Sequence, residues 1–322
     1  MPDVIALGEA LIDFIALDSS DLSEAVNFLK CFGGAPMNTV IGVSRLGVSA
    51  GAVTAVGDDP FGEYVIRVLK ENFVDISHIV VKRGLRTPLA FVVNEPETGE
   101  RKFLFYRSPF VSPTADACLS LQDIDLNYIM DAKILHVSGF VLSQSPTRET
   151  VFKIVKSARE HGVKVFFDPT LRVEIWNSVE EVRKVLFTVL RKCNLAAFSI
   201  EETKYFFETD DPDRAADAAL GLGLEVACIR LGSKGALVKT SEGVRVFEPA
   251  FKVKAVDTTG AGDGWNAGFI VGTLKGFGLR ECVRIANAVG ALVVTKRGAI
   301  TALPFKCELN RFLEDNGVKL EI

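Results

Sequence analysis

Residues 255–272 read AVDTTGAGDGWNAGFIVG, a run of small residues that opens a predicted helix near Ala261 and carries an acid, Asp263, in its first turn. Glycine-rich turns ahead of helices suit anions, because unpaired N–H groups and the positive end of the helix dipole point to the same place. Gly260, Ala261 and Gly262 would offer successive N–H groups with little side-chain obstruction, a geometry matched to the charge of a transferring phosphoryl group. A carboxylate beside that nest has a use if the phosphoryl is the electrophile: it can orient and deprotonate the attacking hydroxyl. The helix start is expected to keep Asp263 ionised and usable as a base at neutral pH. A plain first-turn acid is the alternative, and it leaves the Gly-Ala-Gly run unexplained. Rival motifs fail: there is no GxxxxGK[ST], GAGDGW lacks the third glycine of a dinucleotide fingerprint, and no GxSxG elbow occurs.

Working outward, GGAPMNTVIGVSRLG (residues 33–47) lets a ligand or strand approach Gly33 and Gly34 and puts Asn38 in the first turn of a helix. An amide that donates and accepts suits sugar hydroxyls, and a tight turn with a helix-start Asn fits the same letters. Asp13 follows the first strand in GEALIDF, and Asp168 closes KVFFDPTLR with Arg172 just behind. Acids at the carboxyl ends of strands can accept paired hydroxyls in an α/β sheet, whereas a solvated loop acid or an Asp-Pro turn is the bland reading. FSIEET spaces Ser199 and Glu202 as a capping box, and RLGSKGALV, with Gly232 and Gly235, reads as a hairpin turn or a nucleotide-contacting loop.

Around these motifs, β-rich apolar runs (VIAL, GAVTAV, KILHV, KVFFD) alternate with amphipathic stretches at 37–46, 61–72, 147–161 and 179–192. That order predicts parallel strands joined by crossover helices. Residues 11–32 show no helical period, and PLAFVVNEPETGERKFLFYR (88–107) reads as a hairpin turning in EPETGE. The expected organisation is an α/β core of residues 1–10, 34–87 and 108–322 with a small β lid, 11–33 and 88–107, inserted in it. An exposed lid edge could pair with another lid in a homodimer. With 37 basic against 41 acidic residues in 322, the chain has no general attraction to nucleic acid or acidic membranes. Six scattered cysteines without a CxxC pair and three histidines argue for a reducing cytoplasm without a zinc site. No apolar run approaches a membrane span, and the N-terminal segment is unlike a signal peptide.

At this point the residues resemble one family, the ribokinase-like (PfkB) carbohydrate kinases, from GEALIDF through GGAPMN and DTTGAGD to KRGAITALP. Within it the chain looks most similar to fructokinases, in FYRSP and TADACL, in GFVLSQSPTRET and in FDPTLRVEIWNS. The resemblance implies a layered α/β/α domain with a mostly parallel sheet and a β-sheet lid. It implies a cytoplasmic enzyme that transfers the γ-phosphoryl of ATP to a primary hydroxyl of a monosaccharide, most plausibly fructose to fructose 6-phosphate. Asp263 would be the base, with Gly260, Ala261 and Gly262 as the anion hole. Asp13, Gly33, Gly34, Asn38, Arg107, Asp168 and Arg172 would surround the sugar, and Ser199, Glu202, Arg230, Gly232, Gly235 and Asn287 the nucleotide. Glu202 would order Mg2+ through water, while Asp257 and Thr259, with the backbone near Arg297, would hold a monovalent cation such as K+. The family's usual Asn is Ser199 here, the DPN of fructokinases is DPT at Thr170, and residues 110–112 are inserted. The alternatives are a 2-keto-3-deoxygluconate kinase, whose substrate carboxylate would meet Arg107 and Arg172, then a ribose or nucleoside kinase, and outside enzymes a regulatory binding protein on a kinase fold.

Overall fold

In the computed structural model, which describes residues 1–94 and 101–322, the strands run β1 (Val4–Leu7), β2 (Leu11–Ala16), β3 (Phe28–Gly33), β4 (Ala50–Gly57), β5 (Asp75–Lys82), β6 (Leu89–Asn94), β7 (Arg101–Tyr106), β8 (Ile134–Ser138), β9 (Lys164–Asp168), β10 (Leu195–Ser199), β11 (Val226–Arg230), β12 (Ala236–Thr240) and β13 (Arg245–Glu248). Among the described residues they form a nine-stranded sheet in the order β13-β12-β11-β10-β9-β8-β1-β4-β5 and a four-stranded sheet in the order β3-β2-β6-β7. The large sheet is parallel from β5 to β11, and β12 alone runs against its neighbours. In the small sheet β2 and β6 pair in parallel, and each is flanked by an antiparallel partner. The expected layered α/β architecture with a small β layer is therefore present. The turn expected in EPETGE lies outside the described residues.

The large sheet is buried on both faces, which is why its strands read as short unbroken apolar runs. Ile5, Leu7, Val137 and Phe167 join a core with Val151, Ile154, Val182 and Leu186 of helices Thr147–Glu160 and Val179–Leu190. On the other face Val4, Ala6, Ile134 and Phe166 meet Val40, Ile41, Phe269, Ile270, Val283 and Ile285 of helices Ala35–Arg45, Ala261–Leu274 and Leu279–Val293. Chain order reverses where β1 lies between β4 and β8, and such a switch opens a crevice at the carboxyl ends of the strands. The ends of β1, β8, β9, β10 and β11 there carry Glu9, Ser138, Asp168, Ser199 and Arg230.

Candidate active site

The helix Ala261–Leu274 starts from Gly260, whose left-handed φ of +79° would strain any other residue, and a Cβ there would lie 2.7 Å from the Ala299 Cα. Among the described residues the N–H groups of Gly260 and Gly262 meet no protein acceptor, while that of Ala261 turns back to the Thr258 carbonyl at 3.3 Å. Asp263 stands in the first turn, partly exposed, and Asn38 Nδ2 donates to its Oδ2 at 2.8 Å. Thr39 Oγ1 donates to the Asp263 carbonyl at 3.2 Å, so two consecutive residues of helix Ala35–Arg45 grip the same residue. The Asn38 Oδ1 is buried and has no hydrogen-bond partner among the described residues.

The expected control of the Asp263 charge by the helix start does not hold: loss of solvent dominates and lifts the carboxyl to about 6, with Asp168 adding to the rise and Asn38, Arg230 and Arg101 opposing it. The group is still mostly ionised at neutral pH.

Asp13 lies on β2, 6 % exposed, and burial raises it to about 7 against the pull of Arg101 and Arg172, with Asp263 and Asp257 adding to the rise. These groups share one electrostatic neighbourhood. Gly33 packs on the Asp13 carboxylate so closely that a Cβ would come within 2.5 Å of Oδ2. Arg172 lies 4.8 Å over the Phe103 ring and donates to the Leu171 carbonyl at 2.7 Å, and Arg101 sits 5.6 Å over the same ring. Arg107 is elsewhere in character, fully buried over Phe140, with Nε on Asp116 at 2.6 Å, Nη1 on Ser143 at 2.5 Å and Nη2 without a partner.

Asp168 is enclosed. Its Oδ2 accepts from Arg230 and from Asn266, each at 2.7 Å, and Oδ1 accepts the Thr170 N–H at 2.9 Å. Burial alone would raise its pKa, yet the Arg230 guanidinium and these hydrogen bonds hold it below the ordinary carboxylate value. Arg230 reaches this position through the space left by Gly262, where a Cβ would come within 2.7 Å of Nη1. Ser199 and Glu202 form the capping box of helix Ile200–Phe207, and Glu202 also accepts the Leu171 N–H at 2.9 Å and lies 3.7 Å from Arg230. Gly232 and Gly235 bound the hairpin turn between β11 and β12. Asn287 accepts from Trp265 Nε1 at 2.8 Å and donates to the carbonyls of Glu248 and Pro249, so its amide braces the segment after β13. The Asp257 carboxylate, 4 % exposed, accepts from Thr259 N–H and Oγ1 and from Gly298 N–H at 2.7–2.9 Å.

The structure thus brings Asp13, Asn38, Asp257, Asp263, Arg172 and the Gly-Ala-Gly turn together, and gathers Asp168, Arg230 and Glu202 into a cluster beneath Gly262. Sequence reasoning passed over Asn266, three residues after Asp263 and so one turn along the same helix, and Glu9, an acid at the end of β1. Arg101 carried no signal beyond strand alternation.

The model of the pfkB family carbohydrate kinases matches residues 1–306. The chain is 37 % identical to "Probable fructokinase-4" of Arabidopsis thaliana, over 97 % of each chain, and 34 % identical to Fructokinase-1 of Zea mays, again over 97 % of each. Among solved structures it is similar to a double-mutant fructokinase from Vibrio cholerae in its fructose-, ADP- and potassium-bound form (TM-score 0.87, 31 % identity, 97 % and 98 % of the two chains). It is similar also to an uncharacterized sugar kinase from Pyrococcus horikoshii in complex with ATP (TM-score 0.83, 33 % identity, 97 % and 99 %).

Proposed function

The chain belongs to the pfkB family of carbohydrate kinases, and from that premise we propose that it transfers the γ-phosphoryl of ATP to a primary hydroxyl of fructose, giving fructose 6-phosphate. One observation carries this reading: the Asp263 carboxylate stands beside the free N–H groups of a helix-start nest, held in place by Asn38. The carboxylate orients the sugar hydroxyl and takes its proton, while the free amides of Gly260 and Gly262 draw charge from the phosphoryl as it moves. Asp13 and the unpartnered Oδ1 of Asn38 accept sugar hydroxyls, while Gly33 and Gly34, closely packed on Asp13 and on the Glu9 backbone, let those two side chains stand side by side. Gly232, Gly235 and the loop braced by Asn287 border the nucleotide.

Of the two arginines that would meet the carboxylate of an acid sugar, Arg107 is already matched by Asp116 in a pair closed to solvent, which favours a neutral sugar and leaves Arg172 as the residue that tests the choice. The cations fit unequally. Both oxygens of Glu202 hold backbone N–H groups and a guanidinium lies close by, so Glu202 is a poor place to order a hydrated Mg2+; magnesium is better placed on the phosphates of ATP, whose charge it offsets. Asp257 is a buried carboxylate held by Thr259 and by the Gly298 N–H, and it and Thr259 suit a monovalent cation such as K+. The small sheet exposes Leu104 and Tyr106 beside a ring cluster of Phe14, Phe91 and Phe28, and this apolar face supports a homodimer through the lid, which Leu104→Glu should convert to monomer in sedimentation velocity.

The deciding experiment is coupled ADP release over fructose, 2-keto-3-deoxygluconate, ribose, glucose and adenosine. Fructose should give the highest kcat/KM, with Arg172→Lys raising its KM modestly. A higher kcat/KM for 2-keto-3-deoxygluconate, with a steep and salt-sensitive loss in Arg172→Lys, would replace fructose by the acid sugar.

A further inference from the structure

A path of hydrogen bonds leads from the end of β1 to Asp263, and its first member has no role in the scheme above. Glu9 is 1 % exposed; its Oε1 accepts the Ala35 N–H at 3.1 Å, and Ser138 Oγ donates to its Oε2 at 2.7 Å. Ser138 Oγ in turn accepts the Phe140 N–H at 3.1 Å, so the carboxyl ties the end of β1 to the end of β8. Helix Ala35–Arg45 is preceded by Gly34, which has no side chain to cap it, and Glu9 supplies the missing acceptor from the connection between β1 and β2. The fit is tight: a Cβ on Gly8 would come within 2.6 Å of Pro36, and one on Gly34 within 2.5 Å of the Glu9 carbonyl. In the next stretch of the helix Asn38 and Thr39 bond to Asp263 at 2.8 and 3.2 Å.

We propose that Glu9 is a positioning residue for phosphoryl transfer: it fixes the first turn of helix Ala35–Arg45 and thereby the Asn38 and Thr39 contacts that aim the Asp263 carboxylate. The inference rests on Asp263 being the base. Glu9 acts through the helix and not through its own charge. Burial lifts its carboxyl to about 8, with Ser138 and Arg107 opposing and Asp116 assisting, so the neutral acid is the form present at pH 7; in that form the bond to Ser138 reverses, Oε2–H donating to Oγ as a Gln amide would, while Oε1 keeps the Ala35 N–H.

The test compares the parent, Glu9→Ala, Glu9→Gln and Asp263→Asn by kcat, ATP KM and the pH profile of kcat. The groups that set the acid limb are Asp263, its neighbours Asn38, Asp168, Arg230 and Arg101, and Asp13, which is raised to about 7 and interacts with Asp263 across the site. Glu9→Ala should lower kcat by about 10- to 100-fold, the cost of a small misplacement of reacting groups. ATP KM should stay within about twofold, and the acid limb should move upward by about half a pH unit as the Asn38 bond loosens. Glu9→Gln should recover kcat to within about threefold of the parent. If Glu9→Ala melts lower yet keeps the parent kcat and acid limb, or if Glu9→Gln loses as much as Glu9→Ala, Glu9 has no positioning role. Should Glu9→Ala not fold, Ser138→Ala loosens the same carboxyl and must shift kcat and the acid limb in the same direction, and an unchanged profile overturns the proposal. Asp263→Asn separates the two failures: if it keeps turnover the base assignment falls, and if it loses turnover while the Glu9 variants do not, only the role of Glu9 falls.

Discussion

Asp263 stands where two influences oppose each other, a helix start that favours its charge and a crowded site that disfavours it, and the second prevails. The consequence is a pH dependence with a definite sign. The acid limb of kcat should lie near 6, with activity rising as the carboxylate forms. Asp263→Asn, nearly isosteric, should lower kcat by roughly 10²- to 10⁴-fold and leave sugar and ATP affinity within a few fold, as steady-state kinetics and ligand titration would read. Its stability should move the other way. A carboxyl raised from 3.8 to about 6 stabilises the fold fully only below the lower value, and that contribution is lost as pH rises through the higher one. The melting temperature of Asp263→Asn relative to the parent should therefore climb between pH 4 and 7 and then level off. Near-normal turnover with a lowered melting point would mean that Asp263 is only a helix-start anion.

At the scale of elements, the helix that carries Asp263 is buried on every side from Gly264 to Gly272, so its sequence has no polar face to show a period. Gly264, Gly268 and Gly272 form a stripe against helix Leu279–Val293, where a Cβ on Gly268 would come within 2.8 Å of the Ala286 Cα. Gly268→Ala should therefore destabilise by about 1–3 kcal/mol in urea unfolding, because the obstacle is backbone and cannot turn aside. A stability equal to or above the parent would show that the helices separate easily. The small sheet is expected to behave oppositely. Amide exchange in residues 11–32 and 88–107 should slow when fructose is bound, and unchanged exchange at saturating sugar would count against a closing lid. The helix beginning at Ala261 was legible from its glycine-rich start, the helix after GGAPMN from its turn, and the paired strands of residues 88–107 from their alternation. The strand Asp75–Lys82 was not, since it is half-buried along most of its length and alternates weakly, nor were helices Pro212–Leu220 and Lys306–Asp315. The site divides in the same way. Gly260 and Gly34 announce their backbone needs in the letters, whereas Glu9 and Arg101 acquire meaning only from partners brought beside them by folding.

The whole molecule carries several carboxyls whose burial opposes ionisation. Glu9 is raised from 4.5 to about 8 and Asp13 from 3.8 to about 7, so each stabilises the fold at low pH and loses that contribution as pH rises through its folded value. His136, buried and held neutral with its pKa lowered from 6.5 to about 4, has the opposite sign: its contribution is complete above 6.5 and fades as pH falls toward 4. The melting temperature of the unliganded protein should accordingly decline from pH 6.5 to 8.5, and Glu9→Gln should flatten the upper part of that decline in calorimetry. A melting temperature that rises across this range would contradict the burial of these acids. The sheet order also sets a timetable. Strand β1 is translated first but lies in the interior, and the edge that β8 covers stays open until residues 134–138 have been made. Asp13 and Asn38 are complete within the first forty residues, while the turn for the phosphoryl waits until residue 260. A ribosome that stalls between these points releases a fragment able at most to touch sugar and unable to consume ATP, so unfinished copies are idle instead of wasteful, and their open β1 edge is the surface a chaperone would meet.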